Sequence, residues 1–321
     1  MIFVTGATGF VGIHLIHELS RKYDGDGRPH TPFAQDFPEL EGVRCLVRKS
    51  SNISNLERYN VEIFYGDLRD RESLIIGLRD VKTVIHLASI TKATKLSDYY
   101  KVNVEGTRNL IEIGMENNIE KFVYLSSLNS HLPVKNAYSR SKYEAECLVK
   151  EMLTCKTVIL RPANIFGEGD KGFLSSITRI VSKSPIVPMI GSGNRKVQPI
   201  YVKDVANAII EAVLDNAYDN KVWYLVGDDI LTYNQIIDII CDCIKKRRVK
   251  VHIPYSLIKF LLEIASSANG SFVWLSDKLV TYNMDSIIGQ ETVEGNLHSD
   301  LTSFEDFLSR KFPDHRRQNN R

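Results

Sequence analysis

Short apolar runs and stretches of helical periodicity alternate along the first half of the chain. Runs at Ile2–Thr5 and Val43–Val47 are rich in residues that favour strands, and similar runs follow at 61–65, 83–87, 122–125 and 157–160. Segments with helical spacing separate most of them, beginning with residues 12–21. This alternation predicts an α/β fold, a doubly wound parallel sheet with helices on both faces.

The pattern is less regular after about Gly167. Residues 183–196 contain two prolines and two glycines, and we interpret them as an exposed connection. An ordered segment begins again at 200–205, and helices are predicted at 205–214, 233–245 and 257–266. We expect a large domain over 1–167, to which 200–225 returns. A smaller, mainly helical lobe would comprise 168–199 and 226–321. Residues 23–41 are interpreted as a long loop and the basic tail 310–321 as a frayed end.

Composition and charge disfavour several classes of protein. Of the 321 residues, 43% are hydrophobic and the formal net charge is +2, which is ordinary for a globular protein and provides no general attraction for nucleic acid. No apolar run reaches the roughly 18–20 residues of a membrane span. The nearest, at 257–265, is interrupted by Lys259 and Glu263. We expect it to be an amphipathic helix packed on the protein, with reversible membrane contact as the alternative.

The cysteines and the start of the chain bear on location. Five cysteines form an odd set without the spacing of a zinc site. Cys241 and Cys243 lie in an apolar helical stretch, where buried free thiols are expected. Met1 is followed at once by a predicted strand, so we expect no secretory signal. These features predict a reducing compartment, the cytoplasm, and no metal site.

A glycine-rich segment, T-G-A-T-G-F-V-G at 5–12, lies between the first predicted strand and the first helix. Gly6 permits a tight turn, Gly9 lets a pyrophosphate approach the backbone, and Gly12 allows close packing of helix on strand. The helix N-terminus adds N–H groups directed at phosphate. The segment predicts a dinucleotide-binding Rossmann unit, with the phosphates held by Gly6, Thr8, Gly9, Phe10, Val11 and Gly12.

The end of the second predicted strand bears on the choice between NAD and NADP. An acidic residue there would bind the ribose 2′-hydroxyl of NAD. Here the strand ends with Arg48, Lys49 and Ser50, and a guanidinium pairs with phosphate through directed hydrogen bonds. The segment predicts a preference for NADP, with NAD as the other possibility. The alternative interpretation is a solvated basic loop.

Tyr138 and Lys142 are four residues apart and would share one face of a helix. A phenol with a pKa near 10 is a poor base at neutral pH, and a nearby lysine lowers that pKa. Such a tyrosine can exchange a proton with a substrate hydroxyl while a hydride moves. The same spacing recurs at Tyr255 and Lys259, but only the first pair follows a predicted strand that ends in two serines.

With its Gly-x-x-Gly-x-x-Gly spacing and this Tyr-x-x-x-Lys pair, the chain resembles the extended branch of the short-chain dehydrogenase/reductase superfamily. The resemblance implies a catalytic group of Ser127, Tyr138 and Lys142. Ser127 would bind the reacting oxygen, Tyr138 would be the acid/base, and Lys142 would also hold the nicotinamide ribose. It also implies a nicotinamide cofactor and a small-molecule substrate, and it leaves room for a homodimer.

Further segments extend the resemblance to about residue 245. Gly66-Asp67-Leu68 is similar to the turn that meets adenine, and His86-Leu87-Ala88 to the loop that lines the cofactor. Asn103 matches an asparagine that supports the active site, with a structural bridge as its alternative role. Pro162 lies in a segment leading to the substrate lobe. The cofactor contacts implied in this way are Asp67, Leu68, Leu87, Ala88, Asn103, Tyr138, Lys142 and Pro162.

The interval between Ser127 and Tyr138 departs from the pattern of nucleotide-sugar enzymes in this family. Only eleven positions separate the two residues, and Leu128-Asn129-Ser130-His131 replaces the usual aromatic-glycine pair. The short interval is more similar to members that act on ketones or hydroxysteroids. We expect an NAD(P)-dependent oxidoreductase or an epimerase/dehydratase-like enzyme acting at a carbinol or carbonyl carbon. The alternative is a non-enzymatic cofactor-binding protein, like the accessory subunits of respiratory complex I.

Overall fold

The computed structural model describes residues 1–22, 42–268, 273–288 and 301–313. The long loop expected at 23–41 and most of the basic tail lie outside these residues. Within 1–166 the elements are β1 (Ile2–Thr5), α1 (Phe10–Lys22), β2 (Val43–Val47), β3 (Glu62–Tyr65), α2 (Arg71–Gly77), β4 (Thr83–His86), α3 (Leu96–Tyr99), α4 (Gly106–Glu116), β5 (Lys121–Leu125), α5 (Ala137–Met152), β6 (Lys156–Pro162) and β7 (Ile165–Phe166).

The second half of the chain mixes helices with short strands. Its elements are α6 (Phe173–Lys183), β8 (Ile186–Ile190), β9 (Lys196–Val197), β10 (Ile200–Tyr201), α7 (Val202–Leu214), β11 (Lys221–Leu225), β12 (Leu231–Thr232), α8 (Tyr233–Ile244), β13 (Val249–Ile253), α9 (Tyr255–Ala268), α10 (Val273–Tyr282) and α11 (Phe304–Lys311).

Seven strands form one parallel sheet in the order β11-β6-β5-β4-β1-β2-β3. One face packs on α1 and α7, which contribute Leu15 and Ile209 to a fully buried core. The other face packs on α2, α4 and α5, with Leu74 and Leu110 in the second core. Because both faces are covered, the central strands β1 and β5 are buried along their whole length. The predicted doubly wound fold is confirmed.

The strand order reverses between β4 and β1. In sheets of this kind a ligand binds in the crevice beside the carboxyl ends of the strands at this switch point. The β1–α1 loop, the end of β4 and the end of β5 all lie along that edge. The fold therefore brings together the glycine loop and the polar residues that follow β5.

A third core joins the later helices. Val181 of α6, Ile237 of α8 and Leu308 of α11 are buried in it, together with Val187 and Met189 of β8. The interpretation of 183–196 as an exposed connection was wrong, because β8 lies in this segment and pairs in parallel with β13. Its alternate residues Val187 and Met189 fill the core, and Pro188 points away from it on the exposed side.

The apolar segment 257–265 lies in α9, as the sequence predicted. Its packing differs from the expectation, because Leu257, Phe260, Leu261 and Ile264 are each about half exposed. Cys241 and Cys243 are half-buried free thiols rather than fully buried ones. Among the described residues, no helix is both long and apolar enough to cross a membrane.

Candidate functional site

The glycine loop forms a tight turn between β1 and α1. Gly6 has a φ of +78°, and an added Cβ would lie 2.7 Å from the amide nitrogen of Ala88. A Cβ on Gly12 would lie 2.2 Å from the carbonyl oxygen of Gly6, so both positions require glycine for the fold. A Cβ on Gly9 would meet only the Gly6 carbonyl oxygen, at 3.1 Å. Packing is therefore less restrictive at Gly9 than at Gly6 or Gly12, and a glycine there also lets a phosphate approach the backbone closely.

The N-terminus of α1 faces the same space. The Gly9 carbonyl accepts the first helical hydrogen bond, from the amide of Ile13 at 3.0 Å. The amides of the first turn, from Phe10 to Gly12, therefore precede the helical ladder and can bind an anion. Since the loop offers close approach and directed N–H groups, the residues present fit the pyrophosphate of a dinucleotide.

A cavity of about 580 Å³ extends from this loop to the end of β5 and on to α10. It is large enough for part of a dinucleotide and a small substrate. Many of the residues singled out from the sequence line it: Gly6, Gly9, Phe10, Val11, Gly12, Leu87, Ser127, Tyr138, Lys142 and Pro162.

Tyr138 lies in the first turn of α5 with its phenol directed into the cavity. Burial raises the pKa of this phenol above its ordinary value, and hydrogen bonds with Ser89 and Ser127 oppose the shift. The expectation that Lys142 lowers the tyrosine pKa was wrong for this structure. Burial dominates, and the hydroxyls that favour the phenolate come from the segment after β4 and the end of β5.

Lys142 lies one turn along α5 from Tyr138 and is 2% exposed. Its Nζ donates to the carbonyl oxygen of Leu125 at 2.7 Å and lies 4.2 Å from the ring centroid of Tyr124. Burial lowers the pKa of this ammonium to about 7, although Glu146 favours the charged form. The charged and neutral forms of Lys142 are therefore similarly populated near neutral pH.

Glu146, one turn beyond Lys142 on α5, is the centre of a network of hydrogen bonds and ion pairs. Its carboxylate accepts hydrogen bonds from Ser126 Oγ at 2.7 Å and from the guanidinium of Arg161, and it pairs with His131 and Lys150. Burial alone would raise its pKa, but these donors hold the pKa of Glu146 well below its usual range. The hydroxyl of Ser126 therefore donates to Glu146, and Ser127 is the serine that favours the phenolate form of Tyr138.

His86 links the glycine loop to α4. Its Nδ1 lies 2.7 Å from Thr5 Oγ1 and its Nε2 lies 2.9 Å from Thr107 Oγ1. Thr107 Oγ1 donates its hydrogen to the carbonyl oxygen of Asn103, so it must accept the hydrogen bond from His86. The ring nitrogen Nε2 of His86 is therefore the protonated one. Burial lowers the pKa of His86 to about 3, so its ring is neutral at neutral pH.

Asn103 connects the other end of this chain of hydrogen bonds to the tyrosine. Its side-chain amide accepts from the amide of Ile90 and donates to the carbonyl oxygen of Ile90. It also donates to Ser141 Oγ at 2.9 Å. Ser141 in turn donates to the carbonyl oxygen of Tyr138 at 2.7 Å. Asn103 is buried and does not line the cavity.

Other residues that the sequence predicted to bind the cofactor also lie outside the cavity lining, namely Thr8, Arg48, Asp67, Leu68 and Ala88. Arg48 is exposed beyond the end of β2. Asp67 accepts two hydrogen bonds from the guanidinium of Arg69, which lowers its pKa. Tyr255 lines a separate, smaller cavity, and Lys259 pairs with Glu263.

The structure adds site residues that sequence reasoning had missed. Ser89 is hydrogen-bonded to Tyr138, and Asp277 of α10 accepts from the amide of Ala137 at 2.8 Å. Lys92, Asn129 and Lys278 also line the cavity. Ser89 follows the predicted fourth strand, so its position at a carboxyl edge was a usable signal. The sequence carries no comparable signal for α10. Among the described residues, no group of histidine, cysteine and carboxylate side chains could hold a metal ion.

The fold and this cavity define a nicotinamide-dinucleotide-binding enzyme of the extended short-chain dehydrogenase/reductase type. The sequence profile of the NAD dependent epimerase/dehydratase family matches residues 2–227. The chain belongs to that family, which confirms the resemblance inferred from its motifs.

Two curated relatives show the range of this family. One is the mitochondrial NADH dehydrogenase [ubiquinone] 1 alpha subcomplex subunit 9 of Dictyostelium discoideum. It is 27% identical over 262 residues, 81% of this chain and 68% of the relative. The second is the N-acetyl-alpha-D-glucosaminyl-diphospho-ditrans,octacis-undecaprenol 4-epimerase of Escherichia coli O157:H7. It is 27% identical over 280 residues, 80% of this chain and 76% of the relative.

Solved structures share the fold. The UDP-glucose 4-epimerase of Thermotoga maritima superposes with a TM-score of 0.63 and 23% identity, over 79% of this chain and 85% of the epimerase. At this identity the likeness supports the architecture only.

Proposed function

We propose that the protein transfers a hydride between a nicotinamide dinucleotide and a carbinol or carbonyl carbon of a small molecule. The observation that carries the proposal is the position of Ser127, Tyr138 and Lys142 in the wall of the cavity that begins at the glycine loop. In this arrangement residues 1–167 and 200–225 bind the cofactor. Residues 168–199 and 226–321 supply the substrate lobe.

The chain's own residues divide the work in the following way. The bound nicotinamide supplies the chemistry of hydride transfer. Tyr138 is protonated at neutral pH because burial raises its pKa, so it donates a proton to the substrate oxygen during reduction. Ser127 holds that oxygen beside the phenol. In oxidation the proton returns to Tyr138, and the hydroxyls of Ser89 and Ser127 stabilise the phenolate through hydrogen bonds.

Tyr138→Phe tests this proposal, and Tyr255→Phe is a matched control in the second Tyr-x-x-x-Lys pair. Loss of the phenol should lower kcat by about 100-fold or more, the usual contribution of a general acid. Dinucleotide affinity, measured by fluorescence titration, should change little. The control should retain full turnover. Undiminished turnover in Tyr138→Phe would exclude the assigned role.

The preference for NADP is a separate part of the proposal. Arg48 and Lys49 are exposed beyond the end of β2, where a 2′-phosphate would lie in a fold of this type. Titration with both cofactors should show tighter binding of NADPH, and Arg48→Ala should weaken NADPH about tenfold while leaving NADH unchanged. Equal affinities in the wild type would contradict this preference.

A non-enzymatic role is the second candidate, favoured by the similarity to a subunit of NADH dehydrogenase. It predicts tight dinucleotide binding without turnover across a broad panel of carbonyl and carbinol substrates.

A cytoplasmic location and a homodimer also belong to the proposal. The five free cysteines suit a reducing compartment, and sedimentation velocity tests the homodimer.

A further inference from the structure

Helix α9 has an apolar face that is about half exposed in the part of the chain that the structure describes. Leu257, Phe260, Leu261 and Ile264 recur at the spacing of one helical face, and their exposed fractions are 48%, 58%, 54% and 53%. Single exposed apolar residues are normal in soluble proteins, but an aligned set of this size marks an interaction surface.

The other side of α9 packs on the protein. Ile258 and Leu262 are half-buried, and Ser266 Oγ donates to Ser276 Oγ of α10 at 3.4 Å. The helix is therefore held in place by α10, which also lines the cavity through Asp277 and Lys278. A surface bound to the exposed face of α9 would lie one helix away from the candidate active site.

The strands that precede α9 extend this apolar character. In the β8–β13 pair, Ile186 lies beside Val249 in register. Ile186, Val249 and Val251 are 52%, 63% and 42% exposed. Only Pro254 separates β13 from α9. Together these three residues and the four of α9 account for seven of the sixteen exposed large hydrophobic side chains in the described part of the chain.

The same segment carries a net positive charge. Residues 238–263 contain six lysines and arginines against three acidic residues, and Lys250 and Lys259 pair with Asp238 and Glu263. Lys245, Lys246 and Arg247 are exposed immediately before β13, and Arg248 anchors this turn by donating to the carbonyl oxygen of Val181 at 2.6 Å. An apolar helix face beside a cluster of cations matches the interface of an anionic bilayer, which offers acyl chains and negative headgroups together.

We propose that the protein docks reversibly on anionic lipid membranes through α9 and the neighbouring β8–β13 face. The side chains of Phe260 and Leu261 enter the boundary between headgroups and acyl chains. Lys246 and Arg247 contact the headgroups. This docking is peripheral and independent of the chemistry assigned to Tyr138.

Vesicle co-sedimentation of the full chain tests the proposal. Wild-type protein should partition onto phosphatidylcholine vesicles containing about 30% phosphatidylglycerol at least tenfold better than onto pure phosphatidylcholine. About 0.5 M salt should weaken this binding, because it screens the headgroup charge. Phe260→Glu/Leu261→Glu should lower the partition about tenfold, since both side chains lose their place among the acyl chains.

Ile75→Glu/Ile76→Glu is the matched control. These residues form an exposed apolar pair on α2, at 44% and 50%, so the control adds the same charge elsewhere and should bind vesicles nearly as well as the wild type. Circular dichroism establishes that both variants are folded. The proposal is overturned if anionic vesicles do not retain the wild type, or if both variants lose binding equally. It is also overturned if sedimentation velocity shows that α9 instead joins two copies of the chain, with a dimer that only Phe260→Glu/Leu261→Glu dissociates.

Discussion

At the scale of single residues, the environment of Tyr138 shows what a local motif can and cannot predict. The Tyr-x-x-x-Lys spacing correctly places Tyr138 and Lys142 on one helix, because helical geometry is local. The pKa of the phenol depends instead on burial and on Ser89 and Ser127, which come from distant parts of the chain. Sequence spacing does not reveal that balance, and the expected lowering was wrong.

A titration of the cofactor-free protein tests this balance directly. Because burial raises the pKa of Tyr138, its phenolate should form only above about pH 10, the ordinary value for tyrosine. The near-ultraviolet difference between wild type and Tyr138→Phe isolates this one side chain. Lys142→Met should leave the titration nearly unchanged. A phenolate signal near neutral pH that disappears in Lys142→Met would restore the original expectation.

At the scale of elements, helix α5 depends on a residue far along the chain. Asn136 caps the helix by accepting from the amide of Ser139 at 2.7 Å. Asp277 accepts from the amide of Ala137 in the same first turn. The helix N-terminus that carries Tyr138 is therefore held by α10, which belongs to the lobe that we propose binds the substrate.

Asp277→Ala should misplace Tyr138 without removing any group that reacts. We expect a stability loss of about 1 kcal/mol, the usual cost of a lost cap, and a fall in kcat that exceeds the change in dinucleotide affinity. Thermal unfolding and steady-state kinetics measure the two effects. Asp277→Asn keeps an acceptor oxygen and should restore most of the activity. If the asparagine variant is as impaired as the alanine variant, then the charge of Asp277 matters more than its capping bond.

Element prediction succeeded where the pattern was continuous and failed where proline and glycine interrupted it. β1 and β2 have the predicted bounds, because buried parallel strands are apolar on both faces. In β8, Val187 and Met189 alternate with exposed residues, which is a strand pattern. Pro185 and Pro188 concealed it, although proline is tolerated at an edge strand.

At the scale of the whole molecule, the cavity is lined by two parts of the chain, and only one of them could be predicted from sequence motifs. The glycine loop and the ends of β4 and β5 follow from the order of strands, so the cofactor side was predictable from the motifs. α10 contributes Asp277 and Lys278 to the cavity and reaches it only through tertiary packing. The α10 side of the cavity therefore depends on the part of the sequence with the weakest pattern.

Glu146 links helix α5 to the central sheet. It binds Arg161 of β6 and Ser126 at the end of β5. Its side chain is 1% exposed and that of Arg161 is 7% exposed. Replacing one partner of a buried ion pair leaves the other charge uncompensated. Glu146→Gln should therefore lower the free energy of unfolding by about 3 kcal/mol. Glu151→Gln, at an exposed position on the same helix, should have little effect.

The pH dependence of unfolding distinguishes this charge effect from a packing defect. The pKa of Glu146 is held well below its usual range in the folded protein. Its contribution is therefore fully present above the unfolded pKa, near 4.3, and is lost as the pH falls through the folded pKa. Urea unfolding of the wild type should weaken steadily below about pH 5, and the difference from Glu146→Gln should shrink as the acid titrates. A difference that is equally large at pH 7 and at low pH would show that glutamine disturbs packing, because a charge effect must vanish once the carboxyl is protonated in both states.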